Sequence, residues 1–207
     1  MWNDLTREWQ QTFELAWESF CNGSIPIGAI LFDEEGRVLS TGRNRMGEDH
    51  VPNRRTAHAE AECVRNLDTD QHPECDRYHL YTTMEPCPMC LGTIVMGGIR
   101  SIHIAARDCY CGAVHYLMED PFLHSKSVRI RMGSFEMARV QIVMQTYHEY
   151  RRYPDASRVL FAFAKEYPSA VALGRQLFQQ GVLDDYARSA TPFAAVYDAI
   201  LQQLGSK

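Results

Sequence analysis

The sequence predicts a layered α/β domain, with helices packed on a sheet, followed by a segment that is helical throughout. Three observations carry this. Strand-type and helix-type stretches alternate between residues 25 and 105. The chain has 207 residues, room for one domain or one domain plus a small appendage. From residue 154 onward only the helical period recurs.

Each element has a local reason. Over residues 3–22, Leu5, Trp9, Phe13, Ala16 and Phe20 follow Trp2 at spacings of three and four with charges between them, an amphipathic helix that Asn22-Gly23 stops. Residues 25–32 are apolar and β-prone, Asp33 to Gly36 form a turn, and residues 37–41 return as a second strand, giving a hairpin. A polar loop over 42–56 carries Arg43, Arg45, Arg54 and Arg55. A helix over 57–67 and a strand over 79–83 follow. The next helix opens around residues 86–88, where proline suits a first turn because its missing N–H had no partner there. It ends at Gly97-Gly98, and residues 99–105 alternate like a strand. Residues 128–132 add a short strand, and Ser134 is the N-cap candidate of a long helix reaching residue 152.

Pro154 divides the chain into a domain of residues 1–153 and a helical extension of residues 154–207. Breaks at Pro168, Gly181 and Thr191-Pro192 predict two to four short helices, with Phe161, Phe163, Phe178 and Phe193 in their core. The extension has five basic and five acidic residues, so the net charge of −5 lies entirely in residues 1–153.

Composition narrows the function classes. With 45% apolar and 23% charged residues the chain is an ordinary globular one. No apolar run approaches the ~18 residues of a membrane span. Met1-Trp2-Asn3-Asp4 has no basic n-region and no apolar h-region follows, so a cytoplasmic protein is expected. The acidic balance handicaps nucleic acid as a partner. Seven cysteines in a reducing compartment point to metal binding or catalysis sooner than to disulfides.

Two fragments concentrate the chemistry, Thr56-Ala57-His58-Ala59-Glu60 and Met84-Glu85-Pro86-Cys87-Pro88-Met89-Cys90. Cys87 and Cys90, three apart at a helix start, can aim both sulfurs at one metal, and the helix N-terminus favours thiolate. His58 is the obvious third ligand. A structural zinc site wants four protein ligands, and Cys109 and Cys111 match the first pair poorly. Three ligands leave a fourth position for water. Glu60, two residues after His58, is either a fourth ligand or the group that takes a proton from that water and returns it to a leaving amine. Cys21, Cys63 and Cys75 lack metal-like spacing.

H-x-E followed by P-C-x-x-C is the known signature of zinc deaminases. With Ser24 to Ile30, Gly42-Arg43-Asn44-Arg45 and Ala105-Ala106-Arg107-Asp108 in the same order, residues 3–152 resemble the cytidine deaminase superfamily, most of all its tRNA adenosine deaminase and guanine deaminase branch. The resemblance implies a three-layer α/β/α sandwich around a mixed five-stranded sheet, a homodimer, and one Zn²⁺ per chain. The reaction it implies hydrolyses an exocyclic amine to a carbonyl with release of ammonia. It further implies substrate contacts from Asn44 and Asp108, close approach of the base to Ala29, and orientation of the reacting group by the Ala59 N–H. The plain alternatives are a loop asparagine bonding its own backbone and a turn-forming aspartate.

Two substrates compete. Residues 112–119 and Tyr147 to Arg152 look like the tRNA branch. The acidic balance, the extension, Cys109-Tyr110-Cys111 and Pro121-Phe122 depart from it, and the balance tips to a small aminated heterocycle. Arg43, Arg45, Arg54, Arg55, Arg151 and Arg152 form either a phosphate-binding rim or a solvated face, since Glu48, Asp49 and Glu149 lie among them. A non-catalytic zinc-stabilised module has no use for Glu60.

Overall fold

In the computed structural model, residues 1–153 and 157–205 are described. A 3-10 turn at Trp2–Asp4 leads to α1 (Arg7–Cys21). The hairpin is β1 (Gly28–Phe32) and β2 (Val38–Arg43), followed by α2 (Ala59–Arg65). Next come β3 (His79–Met84), α3 (Pro88–Met96) and β4 (Ser101–Ala106). Two short helices, α4 (Tyr116–Glu119) and α5 (Pro121–Ser125), precede β5 (Arg129–Met132) and the long α6 (Phe135–Arg152). The extension supplies α7 (Arg158–Glu166), α8 (Pro168–Gln180), α9 (Val182–Arg188) and α10 (Phe193–Gly205).

The sheet order is β2-β1-β3-β4-β5. Its hairpin and the β1–β3 pairing are antiparallel, while β3–β4 and β4–β5 are parallel. Two hydrophobic clusters show the layering: α1, α6 and the extension share one, and α2 and α3 belong to the other with Leu31, Leu80, Ile102 and Ile104 of the sheet. Two glycines set the contacts between layers. A Cβ on Gly28 would lie 2.3 Å from the Thr12 carbonyl oxygen of α1, and one on Gly42 would lie 2.2 Å from the Ala59 carbonyl oxygen of α2. Only a bare backbone lets those helices pack so close.

Local differences from the sequence expectation have physical causes. The first strand begins at Gly28 and not at residue 25, as Pro26 has no N–H for a ladder. The first helix begins at Arg7 because Leu5 and its N-cap Thr6 are extended. Ser134 does cap α6, accepting from the Met137 N–H at 3.3 Å. Asp120 caps α5 by accepting from the Leu123 N–H at 2.9 Å, so Pro121-Phe122, a departure from the tRNA branch, opens a short helix.

Among the described residues the extension forms four helices. Pro168 opens α8 and Gly181 ends it in the left-handed region at φ 70°. Phe163 and Phe193 are buried, as expected of core; Phe161 is 70% exposed, because it lies on the outer face of α7. Phe193 packs edge-on against Trp2 and stacks near Phe13 and Trp17. The expected boundary at Pro154 lies outside the described residues, yet the extension shares its apolar core with α1 and α6. Among the described residues no helix is long and apolar enough to cross a membrane.

Candidate active site

The topology brings the chemistry to one end of the sheet. Parallel β3 and β4 finish together, Met84 opposite Ala106, and the Glu85 N–H donates to the Ala106 carbonyl at 2.8 Å. The segments that follow, with Glu85 and Cys87 on one and Arg107 and Asp108 on the other, therefore leave the sheet side by side. Antiparallel β1 begins and β2 finishes at the same end, Gly28 opposite Arg43. Asn44, the next residue, donates its N–H to Ile27 at 2.9 Å. Strand ends of an α/β sheet are where ligand crevices form.

His58 and Cys87 are the N-caps of α2 and α3, and Cys90 sits in the first turn of α3. His58 Nδ1 is 3.6 Å from Cys87 Sγ and 3.6 Å from Cys90 Sγ. A tetrahedral zinc with Zn–S of about 2.3 Å and Zn–N of about 2.05 Å requires S···N edges of about 3.6 Å. The residues therefore fit the ion, and these three are the group of potential ligand atoms found among the described residues. Their protonation is coupled. A hydrogen bond from Cys90, aided by His58, holds the Cys87 thiol down to about 4, and donating to Cys87 while buried pushes Cys90 up. The bond to Cys87 raises His58.

Glu60 is 3% exposed in the first turn of α2, and burial pushes its carboxyl above the ordinary range. The Thr82 hydroxyl on β3 lies 3.1 Å from Glu60 Oε1 and 3.0 Å from the Met84 carbonyl. It has one proton to give. Given to Glu60, it supports the carboxylate; given to Met84, it leaves Oγ1 to accept from a protonated Glu60. Both states of the acid are thus accommodated without rearrangement.

These groups open on a cavity of about 190 Å³ lined by His58, Glu60 and Cys87 on one side and by Gln145, Glu149, Val159 and Phe163 on another. Asn44 also lines it: the residue is 1% exposed, its Oδ1 accepts from the Met46 N–H at 3.0 Å, and its Nδ2 has no partner among the described residues. Asp108 lines it too, but Oδ1 accepts from the N–H groups of Tyr110 (2.9 Å) and Cys111 (3.0 Å), while Oδ2 faces the Cys111 thiol at 3.1 Å. Its carboxylate is largely occupied by the turn it forms. Ala29 and Ala59 are fully buried, in β1 and at the start of α2, and are not among the lining residues.

Sequence reasoning assigned no role to Glu85, Thr82, Gln145 or Glu149. Glu85 is 4% exposed and accepts from the Asp108 and Val114 N–H groups at 3.3 and 3.1 Å, tying down the loop after β4. Gly112 permits this, for a Cβ there would lie 2.5 Å from the Glu85 carboxyl carbon. The arginines are mostly engaged. Arg43 pairs with Glu18 (2.8 Å) and Glu48, Arg45 with Glu48 (3.2 Å), Arg54 with Asp49 (3.6 Å) and Arg151 with Asp184. Cys63 is buried and pushed up to about 12, consistent with an inert thiol.

Comparison with known proteins places this geometry among deaminases. The family model described as MafB19-like deaminase matches residues 3–151. A tRNA-specific adenosine deaminase of Haemophilus influenzae is 35% identical over 102 residues, 49% of this chain and 57% of that protein. A guanine deaminase of Bacillus subtilis is 31% identical over 105 residues, 49% of this chain and 62% of that one. The match thus spans less than two thirds of either relative. A chain solved in a study of A-to-I editing by tRNA:A34 deaminases superposes with a TM-score of 0.54 at 28% identity, covering 62% of this chain and 93% of the other.

Proposed function

Because the chain belongs to the MafB19-like deaminase family, we propose that it is a zinc-dependent hydrolytic deaminase acting on a small aminated heterocycle, a nucleobase or nucleoside. The observation that carries the reading is the grouping of His58, Cys87 and Cys90, with His58, Cys87 and buried Glu60 lining one small cavity. At about 190 Å³ it lies below the ~300 Å³ at which drug-sized sites begin, and it suits a single ring system. Val159 and Phe163 of the extension line it, and most arginines of the would-be phosphate rim already have acidic partners. Both facts favour a free molecule over a folded nucleic acid.

Residue roles follow from chemistry. His58, Cys87 and Cys90 would hold one Zn²⁺, whose Lewis acidity brings the pKa of a water from 15.7 towards ~7. Glu60 takes a proton at its carboxylate and delivers it to the departing amine, a poor leaving group until protonated. Burial, which raises Glu60, makes it a better base and keeps the proton available. Asn44 Nδ2, a buried donor without a partner, is positioned to hold an acceptor of the ring. Asp108 and the backbone at Ala29 and Ala59 complete the proposed substrate contacts. The working form is taken to be a cytoplasmic homodimer with none of the seven cysteines in a disulfide.

The test is Glu60→Gln with ammonia release and metal content measured together. Zinc stays at one per chain while turnover falls by about 10²–10⁴ or more. Loss of zinc in step with activity makes Glu60 a ligand and refutes its role; retention of both moves the proton carrier elsewhere. The tRNA reading is the second one, favoured by the resemblance to tRNA deaminases. It requires turnover of an anticodon stem-loop above that of free bases, with steep loss between low and physiological salt.

A further inference from the structure

Glu149 is a buried acid in this cavity that the proposed chemistry does not use. It lies near the end of α6, is 6% exposed, and lines the cavity together with Gln145 one turn earlier. Its partners are neutral. Oε2 accepts from the Ser157 hydroxyl at 2.8 Å, and Oε1 accepts from Gln145 Nε2 at a long 3.4 Å. A carboxylate has about four acceptor sites, so capacity remains. Beside it, Gln145 Oε1 is a buried acceptor without a partner among the described residues. Buried acceptors in native proteins are normally satisfied, and an unpartnered amide oxygen beside a carboxylate with spare capacity, both lining one ligand-sized cavity, calls for a donor. The wall is also chemically opposite to Asn44, whose free group is a donor.

Position narrows the donor. The metal-type set and Glu60 enter from the α2–α3 layer, whereas Gln145 and Glu149 enter from the layer of α6 on the other face of the sheet. A ring presenting its amine to the first group presents another edge to the second. On the free bases, the ring nitrogen that would otherwise carry a sugar bears an N–H. In the nucleosides that hydrogen is gone. Val159 and Phe163, apolar residues of the same lining, offer no polar partner for a ribose.

We propose that Glu149, with Gln145 beside it, reads a ring N–H of the substrate, so that the enzyme prefers a free base to its nucleoside. The inference rests on the deaminase reading above. Adenine, guanine and cytosine are compared with 9-methyladenine, 9-methylguanine and 1-methylcytosine, first for ammonia release by the zinc-loaded protein and then for binding to the Glu60→Gln protein by calorimetry. At least one free base is preferred over its methylated form by about ten- to hundredfold, the value of a hydrogen bond to a charged group. Glu149→Gln raises KM for that base by a similar factor, changes kcat far less, and leaves KM for the methylated form where it was. Glutamine can still accept from Ser157, so the extension stays docked. Ser157→Ala is the control for a merely structural role, and it leaves the preference for the N–H form intact. Equal use of methylated and free bases, an unchanged KM in Glu149→Gln, or an equal loss in Ser157→Ala overturns the proposal. Binding with the expected preference but no ammonia overturns the deaminase reading and leaves the recognition standing. Failure of all six compounds to bind overturns both.

Discussion

Replacing Phe193 by alanine tests whether the extension is part of the catalytic body. The ring is 4% exposed and stands among four others, with centroids at 5.6 Å to Trp2, 6.1 Å to Phe13, 5.6 Å to Trp17 and 6.1 Å to Tyr197. Truncating such a buried aromatic costs about 3–5 kcal/mol, the lost transfer energy plus the cavity left behind. At this chain length each kcal/mol moves the midpoint by about 2–4 °C, so a fall of roughly 6–20 °C is expected. All three tryptophans belong to the same cluster, which makes their fluorescence a direct reporter beside calorimetry. Phe161→Ala is the control: 70% exposed, it should shift the midpoint by no more than about 2 °C. Wild type and Phe193→Ala should each unfold in one transition. Two transitions, with only the lower one displaced, would falsify the shared core and return residues 154–207 to the status of a separate appendage.

Two further outcomes bear on the chemistry. Thr82→Val removes the hydroxyl that faces Glu60 Oε1 at 3.1 Å. A donor there favours the charged form, so its loss raises Glu60 further; the base is then lost at a higher pH, and the acidic limb of kcat/KM against pH moves up by about one unit. An unmoved limb means that the proton of Thr82 goes to Met84. Chelation should remove one zinc per chain, abolish turnover and lower the unfolding midpoint, since the ligands join the starts of α2 and α3; full activity in metal-free protein refutes the zinc assignment.

The metal group was legible in the sequence because its geometry is local. His58 and Cys87 are each helix N-caps, Cys90 follows within the same turn, and only one long-range contact is needed to join them. The helices of the extension were legible for a similar reason: apolar spacing marks a helix, and Pro168, Gly181 and Pro192 mark its interruptions. The substrate wall was not. Gln145 and Glu149 occupy ordinary positions in a long helix, and nothing local distinguishes them from their neighbours Arg151 and Arg152. Their role arises only when α6 passes the ends of β3 and β4. Glu85 was hidden too, a carboxylate next to the cysteine motif whose partners, Asp108 and Val114, lie beyond the following strand. Ala29 and Ala59 show the converse, small residues whose burial in strand and helix no spacing rule could separate from contact with a base.

The closure of the core across the whole chain bears on how the protein is made. The Trp2 N–H donates to the Asp198 carboxylate at 2.6 Å, and Trp2 packs on Phe193 and Tyr197. Ribosomes add about 5–20 residues per second, so roughly 10–40 s separate the synthesis of these two partners. During that interval Trp2, Phe13 and Trp17 have emerged while the helix that covers them does not yet exist. Until α10 is made, the aromatic face of α1 therefore stays uncovered. Completion of α10, and not of the sheet, is the step that closes this core.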